Sequence, residues 1–199
     1  MAKFFKSDWF KCIIVLMALA VILGGTLAVL NDVLYVSDSE RTGRAIKKIY
    51  GEEKAYVTVI DDGKTVDGAL SQAKTYKFGK ISKVYNIGED VLFQATGYEG
   101  YKGGTITLWI KVVKQNGNSV IDKVVLESYE KQTLMSKLGG TFYEKFFVDV
   151  TKAYQDGTLF TSNVKDMVNI QNPIAGATKS ANAACNAVNC VITYLGEQS

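Results

Sequence analysis

"GTITLWIKVVKQNGNSVIDKVVLESY", residues 104–129, decides how this chain folds. Two runs rich in Val, Ile, Thr, Leu and Trp, 104–113 and 119–129, flank the turn sequence "KQNGN". β-Branched and aromatic side chains suit a half-buried pleated surface, and Asn-Gly accepts the positive φ angles of a tight hairpin turn. The stretch reads as an antiparallel hairpin. Toward the N-terminus, "VLFQATGY" (91–98) and "AYVTVI" (55–60) have the same character, the second followed by the turn signal "DDG" at 61–63. Residues 55–129 are thus predicted to form mainly antiparallel sheet.

Toward the C-terminus the pattern changes. "TLMSKLGGTFYEKFF" (133–147) reads as a loop with a short helical turn, and "VNI" (168–170) as a final short strand. From residue 179 the apolar spacing is helical: Ala181, Ala184, Cys185, Val188, Val191, Ile192 and Leu195 share one face, and Asn182, Asn186 and Asn189 take the other. A helix packing that stripe on the sheet gives an α+β domain.

The first fifty residues belong to something else. Residues 12–30, "CIIVLMALAVILGGTLAVL", are uncharged and mostly apolar, and as a helix would span roughly 28 Å, close to the hydrocarbon thickness of a bilayer. A cleavable signal peptide is the competing reading, since Thr26-Leu27-Ala28 loosely resembles a cleavage site, but the apolar run is longer than a usual signal core. Lys3, Lys6 and Lys11 precede the run, while Asp32, Asp38 and Glu40 follow it before the first basic residue, Arg41. The positive-inside bias then predicts a cytoplasmic N-terminus (1–11), a transmembrane helix (12–30) and an extracytoplasmic remainder. Gly24 and Gly25 suit close packing on a partner helix, and equally a plain lipid-facing anchor. "SDSERTGRAIKKIYG" (37–51) has a helix's start and stop signals, so 31–50 reads as a connector leading to a domain over 51–199.

Composition excludes much chemistry. The chain has no histidine, which removes Ser-His-Asp and Cys-His nucleophilic sites, bis-histidine haem and most catalytic zinc arrangements. Three of the 23 basic residues and one of the 20 acidic ones lie in the first eleven positions, so the remainder is nearly neutral and nucleic acid is not an expected partner. Cys185 and Cys190 stand five apart, about 140° around a helix, which suits neither a disulfide nor a metal pair; they read as small buried hydrophobes. Asp61-Asp62 in a turn and "SDSE" at a helix start read as solvated acids rather than an acid–base pair.

Two stretches could meet a ligand. "GYEGYKGG" (97–104) lies between two strands, where Tyr98 and Tyr101 would allow a flat ligand near the backbone, or where the glycines simply make a hairpin; it matches no dinucleotide or P-loop spacing. "AGATKS" (175–180) places Thr178 near the first turn of the C-terminal helix, either as an N-cap or beside a phosphate held by unsatisfied N–H groups.

Three stretches in this order carry a resemblance. "GYKGGTITLWI" (100–110), "ESYEKQTLMSKLG" (127–139) and "AGATKS" (175–180), behind one N-terminal span, together resemble the FMN-binding subunit of two related redox pumps: the G subunit of the Rnf complex (ferredoxin:NAD oxidoreductase) and the C subunit of the sodium-pumping NADH:quinone oxidoreductase. Chain length is nearer the Rnf subunit. The resemblance implies FMN attached by a phosphoester to Thr178, placed there from FAD by a flavin transferase. It also implies Gly176, Ala177 and Ser180 around the phosphate, Thr133, Leu138 and Gly139 near the ring or ribityl chain, and Tyr101 and Gly103 as neighbours. The implied role is that of an electron relay among the other membrane subunits of an ion-translocating complex. A stand-alone flavinylated protein and a cofactor-free anchored binding domain are the alternatives. The match departs at Asn172 and Ala175, where the family carries aspartate and serine or threonine, and at Tyr129 and Gln132, where it carries histidine and glutamate.

Overall fold

The computed structural model describes residues 8–34, 36–157 and 177–198 of the 199-residue chain, which divides into two units, 1–44 and 45–199. In the first, α1 (Asp8–Leu34) is a single helix of 27 residues. Its stretch Trp9–Asn31 is long and apolar enough to cross a membrane, at about 34 Å for 23 residues, and extends beyond the expected 12–30 at both ends. Val21, Leu23 and Leu27 along it are more than 60% exposed.

Helix α2 (Asp38–Tyr50) carries the punctuation that the sequence announces. Ser37 Oγ accepts the Glu40 N–H at 3.2 Å as an N-cap, and Gly51 closes the other end at φ +82°, donating to Lys47 C=O. Asp38 and Glu40 sit in its first turn and Lys47 and Lys48 in its last, each sign at the end of the helix dipole that favours it.

In the second unit, β1 (Val57–Asp61) is followed by a small hairpin of β2 (Thr65–Val66) and β3 (Ala69–Leu70), then β4 (Lys74–Tyr76), β5 (Gly79–Ile87), β6 (Asp90–Gly97), β7 (Ile106–Gln115) and β8 (Asn118–Tyr129). All pairings are antiparallel. The main sheet runs in the order β1-β5-β6-β7-β8, with β4 also on β5. The β7–β8 turn is as expected: Asn116 and Gly117 take φ of +53° and +86°, and Gln115 pairs with Asn118.

After the sheet come 3-10 turns at Met135–Leu138 and Gly140–Phe146, a short helix α3 (Val150–Gln155), and α4 (Thr178–Gly196). Helix α4, α3 and the second 3-10 turn cover one face of the sheet, burying Ile81, Phe93, Leu108, Ile110 and Ile121 against Ala184, Val188, Val191 and Phe146. On the other face, Ala45, Ile46 and Ile49 of α2 pack on Tyr85, Ile87, Leu92 and Trp109. The sheet is thus a central layer covered on both sides, and an α+β domain results.

Two expectations need correction. The asparagines of α4 do not form a face set apart from the core: Asn182 is half-buried and Asn186 and Asn189 are 8% and 4% exposed, because α3 and the sheet flank the helix, and Asn186 Nδ2 donates to Tyr98 C=O at 3.0 Å. Asp61 is not a solvated turn acid either. It ends β1 at 7% exposure, accepting from Tyr85 O–H at 3.2 Å and Lys64 Nζ at 3.1 Å. The expected strand at 168–170 lies outside the described residues.

Candidate functional site

Helix α4 lies almost on the backbone of the sheet. At Gly97 a Cβ would run into the Ala183 carbonyl and come within 2.5 Å of the Ala187 nitrogen, and at Gly79, paired with Gly97 across the strands, it would stand 2.7 Å from Cys190 Sγ. Two glycines facing Ala183, Ala187 and Cys190 bring helix and sheet together, and the first turn of α4 is thereby held beside the β6–β7 connection and the segment after β8.

There a cavity of about 340 Å³ opens, lined by Tyr101, Thr133, Leu134, Thr178, Lys179 and Ser180. Three separate stretches of sequence meet at it. Thr178 is the first helical residue, not the cap; the N-cap is Ala177, which has no side-chain oxygen to offer the helix N–H groups. Thr178 and Lys179 are exposed while Ser180 is buried. Tyr101, 38% exposed, opens a 3-10 turn (Tyr101–Gly103), and the Lys102 ammonium stands over its ring, 5.4 Å from the ring centre.

Gln132 joins the walls. Its Oε1 accepts from the Tyr101 N–H at 3.1 Å and from Ser180 O–H at 2.6 Å, and its Nε2 donates to Glu130 C=O at 2.8 Å. The amide is 7% exposed and fits because Gly100 and Gly104 bear no Cβ: one at either would approach Nε2 within 2.5 or 2.6 Å. Glycines of "GYEGYKGG" therefore serve helix packing at Gly97 and the Gln132 amide at Gly100 and Gly104. Glu99, Lys102 and Lys131, in the same two loops, take positive φ, a conformation that costs a non-glycine residue energy and collects around functional sites.

Of the residues singled out from sequence, Tyr101, Thr133, Thr178 and Ser180 come together at the cavity. Ala177 is buried in the adjoining core at 2% exposure. Leu138 is fully buried under the sheet, Gly139 is exposed between the two later 3-10 turns, and Gly103 ends its turn at φ +68°; none of the three lines the cavity. Gly176, Asn172 and Ala175 lie outside the described residues. Leu134 and Lys179 were not singled out, though each is a chain neighbour of a residue that was. Gln132 entered only as a departure from the family pattern, since nothing in "EKQTL" announces a buried amide; the two glycines that accommodate it are the only trace.

The cysteines behave as packing residues. Cys185 and Cys190 are free and fully buried, and burial raises each thiol to about 12. Among the described residues no three His, Cys, Asp or Glu side chains gather as a metal site. No family model, curated protein or solved structure matches the chain.

Proposed function

We propose that this chain is a membrane-anchored electron-transfer subunit of an Rnf-type, ion-translocating oxidoreductase, carrying FMN joined through its phosphate to Thr178. On this reading α1 is the anchor, the N-terminus is cytoplasmic, and residues 51–199 work on the far side of the membrane. The supporting observation is the cavity, where Thr178 and Ser180 from α4 stand with Thr133 and Tyr101 from two distant loops. Each of the four belongs to a stretch that carries the family resemblance.

The residues present suit the group. FMN offers a phosphate, a polyol chain and a flat ring; the cavity offers a helix N-terminus without a side-chain cap, three hydroxyl side chains and an aromatic face. During maturation a flavin transferase would supply FMN from FAD: the Thr178 oxygen bonds the flavin-side phosphorus, the pyrophosphate bond breaks, AMP leaves, and the hydroxyl proton goes to solvent or to the transferase. The ester formed keeps one negative charge, which Lys179 and the first turn of α4 balance. FMN, when bound, supplies one-electron redox chemistry, and the protein supplies position and electrostatics. Thr133 would offer its hydroxyl to the bound group, Ser180, whose proton goes to Gln132, would offer an acceptor lone pair, and Tyr101 would offer an aromatic face. Covalent attachment suits an extracytoplasmic cofactor, which the cell cannot readily replace once it diffuses away.

The test is in-gel fluorescence of the denatured full-length protein made together with its transferase. Wild type is expected to fluoresce under ultraviolet light and Thr178→Ala to be dark. A dark wild type, or a fluorescent Thr178→Ala variant, overturns the proposal.

A further inference from the structure

We propose that Gln132 is the positioning residue of this site: its buried amide fixes the Tyr101 wall against the first turn of α4, and so sets how a ring attached at Thr178 is held. The inference rests on the reading of Thr178 given above. Gln132 itself does not line the cavity, but it reaches both sides of it: the Tyr101 backbone N–H, 31 residues earlier, and the Ser180 hydroxyl, 48 residues later, both donate to the same Oε1 atom.

The chemistry of the amide explains why it is suited to this. Oε1 has two lone pairs and receives two donors, while Nε2 carries protons and gives one to the Glu130 carbonyl. A hydrocarbon of the same length makes none of these bonds, and a carboxylate makes the two accepting ones while presenting an acceptor to the Glu130 carbonyl. At 7% exposure, water does not readily replace a lost partner, so removing Oε1 leaves the Tyr101 N–H and the Ser180 hydroxyl without the acceptor that joins them. Gly100 and Gly104 hold the amide from the Tyr101 side, where a Cβ on Gly104 would also collide with Glu130 C=O. Tyr101 therefore takes its position relative to Thr178 from Gln132, through one hydrogen bond on each side.

The experiment compares the full-length flavinylated wild type with Gln132→Met and Gln132→Glu by fluorescence anisotropy and midpoint potential of the attached flavin. Gln132→Met is expected to keep the attachment but to lower the anisotropy, because the Tyr101 wall is released. Gln132→Glu is expected to keep the wall in place, with anisotropy near wild type, and to shift the potential to more negative values, because a buried negative charge opposes electron uptake. Where Gln132→Met does not accumulate, the Gln132→Glu pair of readings decides alone. Wild-type anisotropy and potential in the variants that accumulate overturn the positioning role while leaving Thr178 flavinylated. A wild type without flavin overturns both, and is seen before any variant is measured.

Discussion

Thr178 stands exposed at the first helical position of α4, one residue inside an alanine cap. A threonine acting as N-cap would use its hydroxyl oxygen on its own backbone; here Ala177 takes the cap. The sequence could bring Thr178 near the helix start but not decide between the two positions, since caps and first-turn residues differ by one place and "AGATKS" suits both. Gln132 was illegible for a different reason: whether a glutamine is buried depends on partners 31 and 48 residues away. The cysteines, in contrast, were legible, because a spacing of five positions on a helix separates them around its axis. Their thiols, raised from 9.0 to about 12 by burial, are protonated in the folded chain across the range where an unfolded chain ionises them. The unfolded state then binds fewer protons above pH 9, so stability falls as pH rises from 9 toward 12 and is fully present below 9. Urea-denaturation midpoints at pH 8 and pH 10.5 check this: wild type is expected to lose more between them than the Cys185→Ala/Cys190→Ala double variant.

Among elements, the pairing of α4 with β5 and β6 does most to place the site. The helix approaches so closely because Gly79 and Gly97 face Ala183, Ala187 and Cys190, and small residues on both sides leave no room for more. Gly97→Ala puts a methyl against the Ala183 carbonyl, a main-chain atom that cannot turn aside. Overpacking of this kind costs on the order of 3 kcal/mol, and thermal unfolding is expected to show it as a clear loss of melting temperature, with the first turn of α4 displaced from the cavity. A melting temperature equal to wild type would contradict the packing. The hairpin of β7 and β8 was readable because Asn-Gly, alternation and β-branched residues agree. β5 was not readable: a bulge between Ile81 and Lys83 shifts its alternation by one place, so Ile81, Val84 and Tyr85 are buried out of step and the lysines dilute the pattern. The asparagine side of α4 misled because helical periodicity reports one apolar face, whereas α3 and the sheet bury most of the helix.

At the scale of the molecule, an apolar helix long enough to cross a membrane is followed by a sheet domain with a cavity that gathers residues from three separate stretches. Both were legible as parts: the span from its uncharged run, the domain from its hairpin. What joined the parts into a function was the order of three short motifs, and the proposal stands on those motifs and on the cavity that collects them. The consequence for the whole chain is chemical and specific. Trypsin cuts after Lys165 and Lys179, releasing the peptide "DMVNIQNPIAGATK", residues 166–179, in which Thr178 is the only hydroxyl-bearing side chain. The most direct measurement is mass spectrometry of this peptide from full-length protein isolated from membranes with its transferase present. The account predicts that the peptide, alone or joined to the residues after Lys179, is heavier by FMN less one water and that fragmentation places the addition on Thr178. The peptide found only at its unmodified mass would contradict it.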